Sequence, residues 1–347
     1  MTVTPEDLRA AVARGIVTEG QSAQLIALSE ARRTAKDNLS PAEEPFVLFK
    51  GFNEIFVVVG LTILFMGWVG VAILMGLDWQ APTGSVTLVL SLVTLAGLAL
   101  VQRYFTLTRR MIAPSIALAV MVAMTATVLA FAVVGTRPGW AAVVVGAIMA
   151  GHYSIFRVPF SAAIIAGAAF FALWAGLADL GVLQSDAAGL FADSGNGPFS
   201  VMTILFELAV FALAMQMDMS DPHRISTRSA TAFWLHVVAA PAIVNTVAMN
   251  LLERGGAGGQ GLLLGFLVIM AAVAIVIDRR SFLVSGAGYS VALAATLFEG
   301  GAAVAILILG LALVLLGAMW ERLRTRLMTA LPDFPGKSNL PPYGATA

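Results

Sequence analysis

Ten apolar segments dominate this chain, near residues 54–76, 84–102, 111–134, 139–156, 158–177, 199–217, 231–251, 261–277, 281–298 and 301–320. At about 1.5 Å of helical rise per residue, segments of this length match a hydrocarbon core of about 30 Å. The polar content is too small for any other solvent. Charged residues make up 12% of the 347 positions and hydrophobic ones 59%, whereas soluble domains carry about 25% charge. The expected fold is therefore all-α, a polytopic transmembrane bundle of ten spans.

The basic residues test the threading independently. With the N-terminus inside, 18 of the 20 Lys and Arg residues fall in cytoplasmic loops and tails, and only Arg137 and Arg254 fall outside. Cytoplasmic loops are enriched in these residues, and adding or removing one span would invert every later loop. Both termini are thus expected in the cytoplasm, with the protein in the cell inner membrane. Tryptophans agree with this depth scale. Trp79, Trp140 and Trp174 fall near outer segment ends and Trp234 and Trp320 near inner ends, where indoles favour the headgroup level. Trp68 alone sits well inside a span.

Three regions follow. Residues 1–50 read as a soluble helical hairpin and linker, 51–325 as the membrane domain, and 326–347 as a proline-rich cytoplasmic tail. In the hairpin, Thr4-Pro5-Glu6-Asp7 supplies a capping hydroxyl, an N-terminal proline and acids near the helix dipole. Gly15 suits a helix end. Thr18-Glu19-Gly20-Gln21 reads as a capping box for a second helix running to about Arg33. Residues Ser40 to Pro45 form a breaker-rich linker, and Phe46, Phe49 and Phe52 beside Lys50 suit an approach along the membrane surface.

The spacing also hints at a tandem four-helix repeat, spans two to five against six to nine. Ser85-Val86 and Ser200-Val201 open corresponding spans, and Gln102 and Gln216 close them. Ile148-Met149-Ala150 precedes Arg157 as Ile269-Met270-Ala271 precedes Arg279.

Glu207 is the most informative single residue. It lies about 12 Å below the outer end of its span, close to the midplane, where a charged acid facing lipid costs several kcal/mol. Two roles stay open: a carboxylate that couples to protons or cations, or a neutral acid bonded to a neighbouring helix. In the next, antiparallel span Asn245 falls at similar depth and can hydrogen-bond to the acid, with Pro241 one turn away as a kink. His236 lies nearer the cytoplasm, where an imidazole can extend a proton path or sit at the interface. Ser285-Gly286-Ala287-Gly288-Tyr289-Ser290 reads as a close-packing stretch. The loop Gly255 to Gly261 reads as a flexible outer hairpin, since no Lys-Ser/Thr follows it. His223, Arg224 and Arg228, with Arg322, Arg324 and Arg326, suit anionic headgroups.

Several classes are disfavoured. A balance of 20 basic and 20 acidic residues argues against nucleic-acid partners. With no cysteine there is no disulfide or thiolate site. Three scattered histidines give no metal-ligand spacing, no enzyme motif is present, and no cofactor is expected.

The layout resembles uncharacterised bacterial polytopic membrane proteins that carry a short N-terminal helical segment before many spans. Leu8, Gly15, Ile16, Gln21 and Leu25 carry the likeness at the N-terminus. Phe233-Trp234-Leu235-His236 with Ala240-Pro241, and Asp278-Arg279-Arg280 with Phe282, carry it in the membrane domain. The resemblance implies a membrane bundle and transfers no catalytic residue. The leading expectation is a secondary transporter or permease with Glu207 and Asn245 near a midplane site. Its rival is a non-transporting scaffold or sensor that recruits a cytoplasmic protein through residues 1–50. A membrane-embedded enzyme acting on lipid ranks last.

Overall fold

A computed structural model describes residues 5–18, 20–22, 24–25, 52–78, 82, 84–183, 197–224, 226–297 and 302–343. The chain divides into two units, 1–45 and 46–347.

In the first unit, helix α1 (Pro5–Ala13) ends as its composition dictates. Gly15 takes φ +69, and the backbone N–H groups of Gly15 and Ile16 return to the carbonyls of Val12 and Ala11. Thr18 and Gln21 then cap one another. Gln21 N–H donates to Thr18 Oγ1 at 3.2 Å and Thr18 N–H to Gln21 Oε1 at 2.9 Å. This reciprocal pair is the expected capping box. The expected linker and the phenylalanines at 46 and 49 lie outside the described residues.

The second unit is built of helices joined by turns: α2 (Phe52–Leu74), α3 (Ser85–Gln102), α4 (Ile112–Val134), α5 (Pro138–Phe156), α6 (Phe160–Asp179), α7 (Pro198–Ser220), α8 (Thr227–Glu253), α9 (Gly256–Ile277), α10 (Ser281–Leu297), α11 (Ala302–Ala318) and α12 (Trp320–Ala330). A π-helical stretch, Arg103–Thr108, prolongs α3. Eight of these, α2 to α9, are long and apolar enough to cross a membrane. The segments expected as ninth and tenth spans coincide with α10 and α11, 17 residues each, which are not among those eight. They adjoin residues 298–301, which lie outside the described residues.

Large apolar side chains point outward. Phe56, Ile63 and Leu74 on α2 are 72, 68 and 88% exposed, an arrangement that suits lipid and not water. Inward faces are built from small residues. Ala119, Ala126 and Ala130 on α4 and Ala232, Ala239 and Ala240 on α8 are fully buried, which lets helix backbones approach closely. One core joins α2 to α6 around Leu118 and Met149. A second joins α8, α9, α10 and Trp320. Ala166, Val210, Ala214 and Leu235 connect α6, α7 and α8.

Cross-helix bonds fix which helix ends share a face. Glu54 at the start of α2 accepts from Ala113 N–H at the start of α4, at 3.3 Å. Tyr153 near the end of α5 meets Thr231 near the start of α8 at 3.2 Å. Arg224 in the α7–α8 turn pairs with Asp278 at the end of α9, and Trp320 at the start of α12 donates to the same Asp278. Because α11 ends beside Trp320, α10 and α11 together leave this end of the bundle and return to it. This is the end that holds Arg157, Arg224, Arg279 and Arg280.

Several local expectations change. The glycine run is not a loop: Gly255 and Gly256 make the turn with φ +61 and +62, and α9 starts at Gly256. A Cβ on Gly259 would lie 2.8 Å from the Leu251 carbonyl oxygen, so the run serves a close approach of α8 and α9. The division at 157–159 holds, with Arg157 in the left-handed region at φ +52 and Pro159 disfavouring helix at Val158. The tail boundary at 326 falls inside α12, and the chain after it folds back. Arg324, 2% exposed, donates to the carbonyls of Pro341 and Pro342 at 2.6 and 2.8 Å, so it faces the tail and not headgroups. Trp320 is likewise no interfacial tryptophan, being 2% exposed and bonded to Asp278 at 2.7 Å.

Candidate functional site

Helix α7 buries one stripe: Ser200, Thr203, Glu207, Val210, Ala214 and Asp218, at helical spacing. Four of these six are polar, on a helix of membrane length. Glu207 is 3% exposed and its Oε2 has no hydrogen-bond partner. One turn earlier, Thr203 is 6% exposed and its Oγ1 has none either. Buried polar atoms are nearly always paired, so two consecutive orphaned oxygens mark an unusual point in the bundle.

Asp218 lies about 16 Å along the same helix. Its carboxylate takes Arg279 in a fork, Nε to Oδ2 at 2.9 Å and Nη2 to Oδ1. Nε2 of His236 is 3.0 Å from Oδ2. A carboxylate at this position accepts, so Nε2 carries the hydrogen. Arg279 Nη2 also donates to the Ser229 carbonyl at 3.0 Å. His236 is fully buried, between Phe211 at 5.4 Å and Phe282 at 6.4 Å, and its Nδ1 has no partner. Beside this triad Arg224 binds Asp278 twice, Nη1 to Oδ2 at 3.0 Å and Nη2 to the carbonyl at 2.9 Å. Burial pulls the Arg224 guanidinium below its usual value, and the nearby Arg279 charge adds to this. Asp278 and Asp218 oppose it.

A cavity of about 580 Å³ opens at this end, lined by Arg224, Asp278, Arg279, Arg280, Ser281 and Glu321 and by Phe233, Val237 and Pro241 of α8. The other large cavities described are apolar and are lined by α2 to α6.

The three expected site residues thus separate. His236 joins the triad. Glu207 stands alone on α7. Asn245 lies on the exposed side of α8 and accepts from Tyr289 of α10. No hydrogen bond among the described residues joins it to Glu207. Sequence reasoning missed Asp218 by ending its span at 217 and treating the acid as loop. The signal was present: Asp218 continues the Glu207, Val210, Ala214 spacing by one turn. Arg279 enters the sequence reading through topology, the repeat and the resemblance, and not as a partner for a buried acid.

No group of metal-ligating side chains forms among the described residues. Compared with protein-family models, curated proteins and solved structures, the chain matches none.

Proposed function

We propose that this chain is a multi-pass membrane protein of the secondary-transporter type, in which α7 and α8 carry a proton or cation. The supporting observation is the pair of orphaned, buried oxygens of Glu207 and Thr203 on successive turns of a membrane-length helix. Each unmet buried polar atom costs about 1–3 kcal/mol, and apolar side chains would pack the same stripe without that cost. An ion or a proton-bearing water received there would meet both oxygens. Ionisable residues within membrane helices mark such pathways. In this reading Glu207 is the coupling carboxylate, and Asp218, His236 and Arg279 close the path at the basic end.

The proposal includes ten spans, with both termini on the basic, cytoplasmic face of the inner membrane. The round trip of α10 and α11 supports that count. It also includes the tandem repeat, α3–α6 and α7–α10. Four described non-glycine residues adopt left-handed backbone, and they fall in two matching pairs. Arg110 and Arg224 have φ 50 and 53, while Arg157 and Asp278 have φ 52 and 56. Helix ends step alike: α5 and α9 end at 156 and 277, and α6 and α10 begin at 160 and 281, both 121 residues apart. In the first repeat neutral groups meet at the corresponding inner end, with Gln102 donating to Thr106 at 2.5 Å and Thr106 bonded to Ser115 at 2.7 Å. Repeats of this kind are common in transporters, and the buried group of Asp218, His236 and Arg279 belongs to the second repeat. The same reading groups the chain with the bacterial polytopic proteins it resembles.

The test is flux in proteoliposomes carrying an entrapped pH dye, with and without an imposed proton gradient. Wild type moves protons, or a solute against them, above protein-free vesicles. Glu207→Gln returns to background while its unfolding midpoint stays within a few degrees. Wild-type flux at background across a panel of cations and organic solutes overturns the reading. A second reading is favoured by the separate unit 1–45: a sensor or scaffold that recruits a cytoplasmic protein. It predicts that deleting residues 1–45 leaves flux unchanged and abolishes partner capture.

A further inference from the structure

We propose that the cavity at the basic end of α8 and α10 binds an anionic phospholipid, with its phosphate between Arg224 and Arg280 and an acyl chain along Phe233, Val237 and Pro241. The proposal stands on the cavity and not on transport.

The lining divides by chemistry. Phe233, Val237 and Pro241 are spaced by four on α8 and form one apolar stripe. The arginines gather at the other end, where the chain turns from α7 to α8 and from α9 to α10. A volume of about 580 Å³ falls within the range of small-molecule sites.

The charges are already arranged for an incoming anion. Both oxygens of Asp218 are engaged by Arg279, with His236 sharing one. Both oxygens of Asp278 are engaged by Arg224 and Trp320. Two guanidinium groups are therefore held in place before any ligand arrives, and the Arg224 side chain remains 34% exposed. Arg280 is exposed and rests on the Trp320 ring, 5.2 Å from its centroid. That contact leaves the guanidinium edge available. Arg279 is balanced by Asp218 and Arg224 by Asp278, so Arg280 is the lining arginine that can turn to an incoming anion. A phosphate takes guanidinium forks well.

Position selects a lipid over a free anion. The polar end lies where membrane-length helices finish, and the apolar stripe runs from there along α8. Phe233 is 42% exposed and Pro241 is exposed, so the stripe is open to an acyl chain. A free phosphate would leave it empty.

Delipidated full-length protein in detergent is the material for the test. Binding is read by native mass spectrometry and thermal shift, with phosphatidylglycerol, phosphatidylcholine and inorganic phosphate as separate probes. Phosphatidylglycerol is expected to bind at least tenfold more tightly than either other probe. Arg280→Gln lowers that affinity about tenfold, the loss of one charge-assisted contact. Val237→Glu, which places an acid on the apolar stripe, lowers it further. Arg103→Gln, an exposed arginine outside the cavity, leaves it unchanged. Equal binding of phosphatidylcholine would mean general lipid coating and would overturn the proposal. So would phosphate binding as tightly as the anionic lipid, or equal losses for Arg280→Gln and Arg103→Gln. Background flux in the proteoliposome assay leaves all of these readouts intact, so the two failures are separable.

Discussion

Asp218 accepts from a guanidinium and an imidazole at once while only 4% exposed. Withdrawing such charges from water is expensive, and their mutual attraction roughly offsets that cost. Removing one partner therefore does more harm than removing both. Asp218→Ala strands Arg279 and is expected to lower unfolding free energy by about 3–5 kcal/mol. Asp218→Leu combined with Arg279→Met restores most of it. Denaturant titration in detergent, arranged as a double-mutant cycle, reads the coupling. Near-additive losses would show that the triad contributes little as a unit. Glu207 is the contrasting case, a buried acid that forms no pair, so Glu207→Gln is expected to change flux and not stability. Of these residues, Glu207 and His236 were legible from the sequence, because an ionisable residue inside an apolar run stands out. Asp218 and Arg279 were not, because each lies at a segment edge, where charge is ordinary. Only the packing of α7 against α8 and α10 turns those edges inward.

Some elements are completed by residues distant in sequence. Helix α4 has no side-chain cap of its own. Glu54, 1% exposed, supplies one from the first turn of α2 by accepting from Ala113 N–H. An acid at a helix N-terminus meets both an unpaired N–H and the positive end of the dipole. Glu54→Ala is expected to lower stability by about 1–3 kcal/mol, read as a drop in thermal midpoint, with Glu54→Gln losing less. Equal midpoints for wild type and Glu54→Ala would sink the capping role. Helix α12 and the residues after it follow similar logic. Lys337 donates to the Leu331 carbonyl at 2.8 Å. Gly336, at φ +89, sits so close to Met219 that a Cβ would lie 2.5 Å from its methyl carbon. Composition alone reads this tail as irregular, because its order comes from Arg324 and Met219 and not from local propensity.

For the whole molecule, every link described above brings helix ends of the same parity to one end of the bundle. That polarity agrees with the distribution of basic residues along the chain. The chain has no cysteine, so single engineered thiols report cleanly. Asp186→Cys and His223→Cys are expected to react with a membrane-impermeant reagent from opposite sides of sealed vesicles. Reaction from the same side would break the ten-span threading and the orientation with it.

The sequence by itself determined that this chain is helical and built for lipid, and roughly where each helix begins and ends. Those properties follow from segment length, backbone geometry and the high cost of placing charge in hydrocarbon, all of which act locally along the chain. Which polar side chains meet was decided by tertiary structure alone. Glu207 and Asn245 are expected at one depth from the sequence, yet depth says nothing of the angle around a helix axis. Small-residue contacts set that angle: they turned Asn245 toward Tyr289, left Glu207 unpaired, and brought Asp218 and His236 from two helices together with Arg279 from the α9–α10 turn.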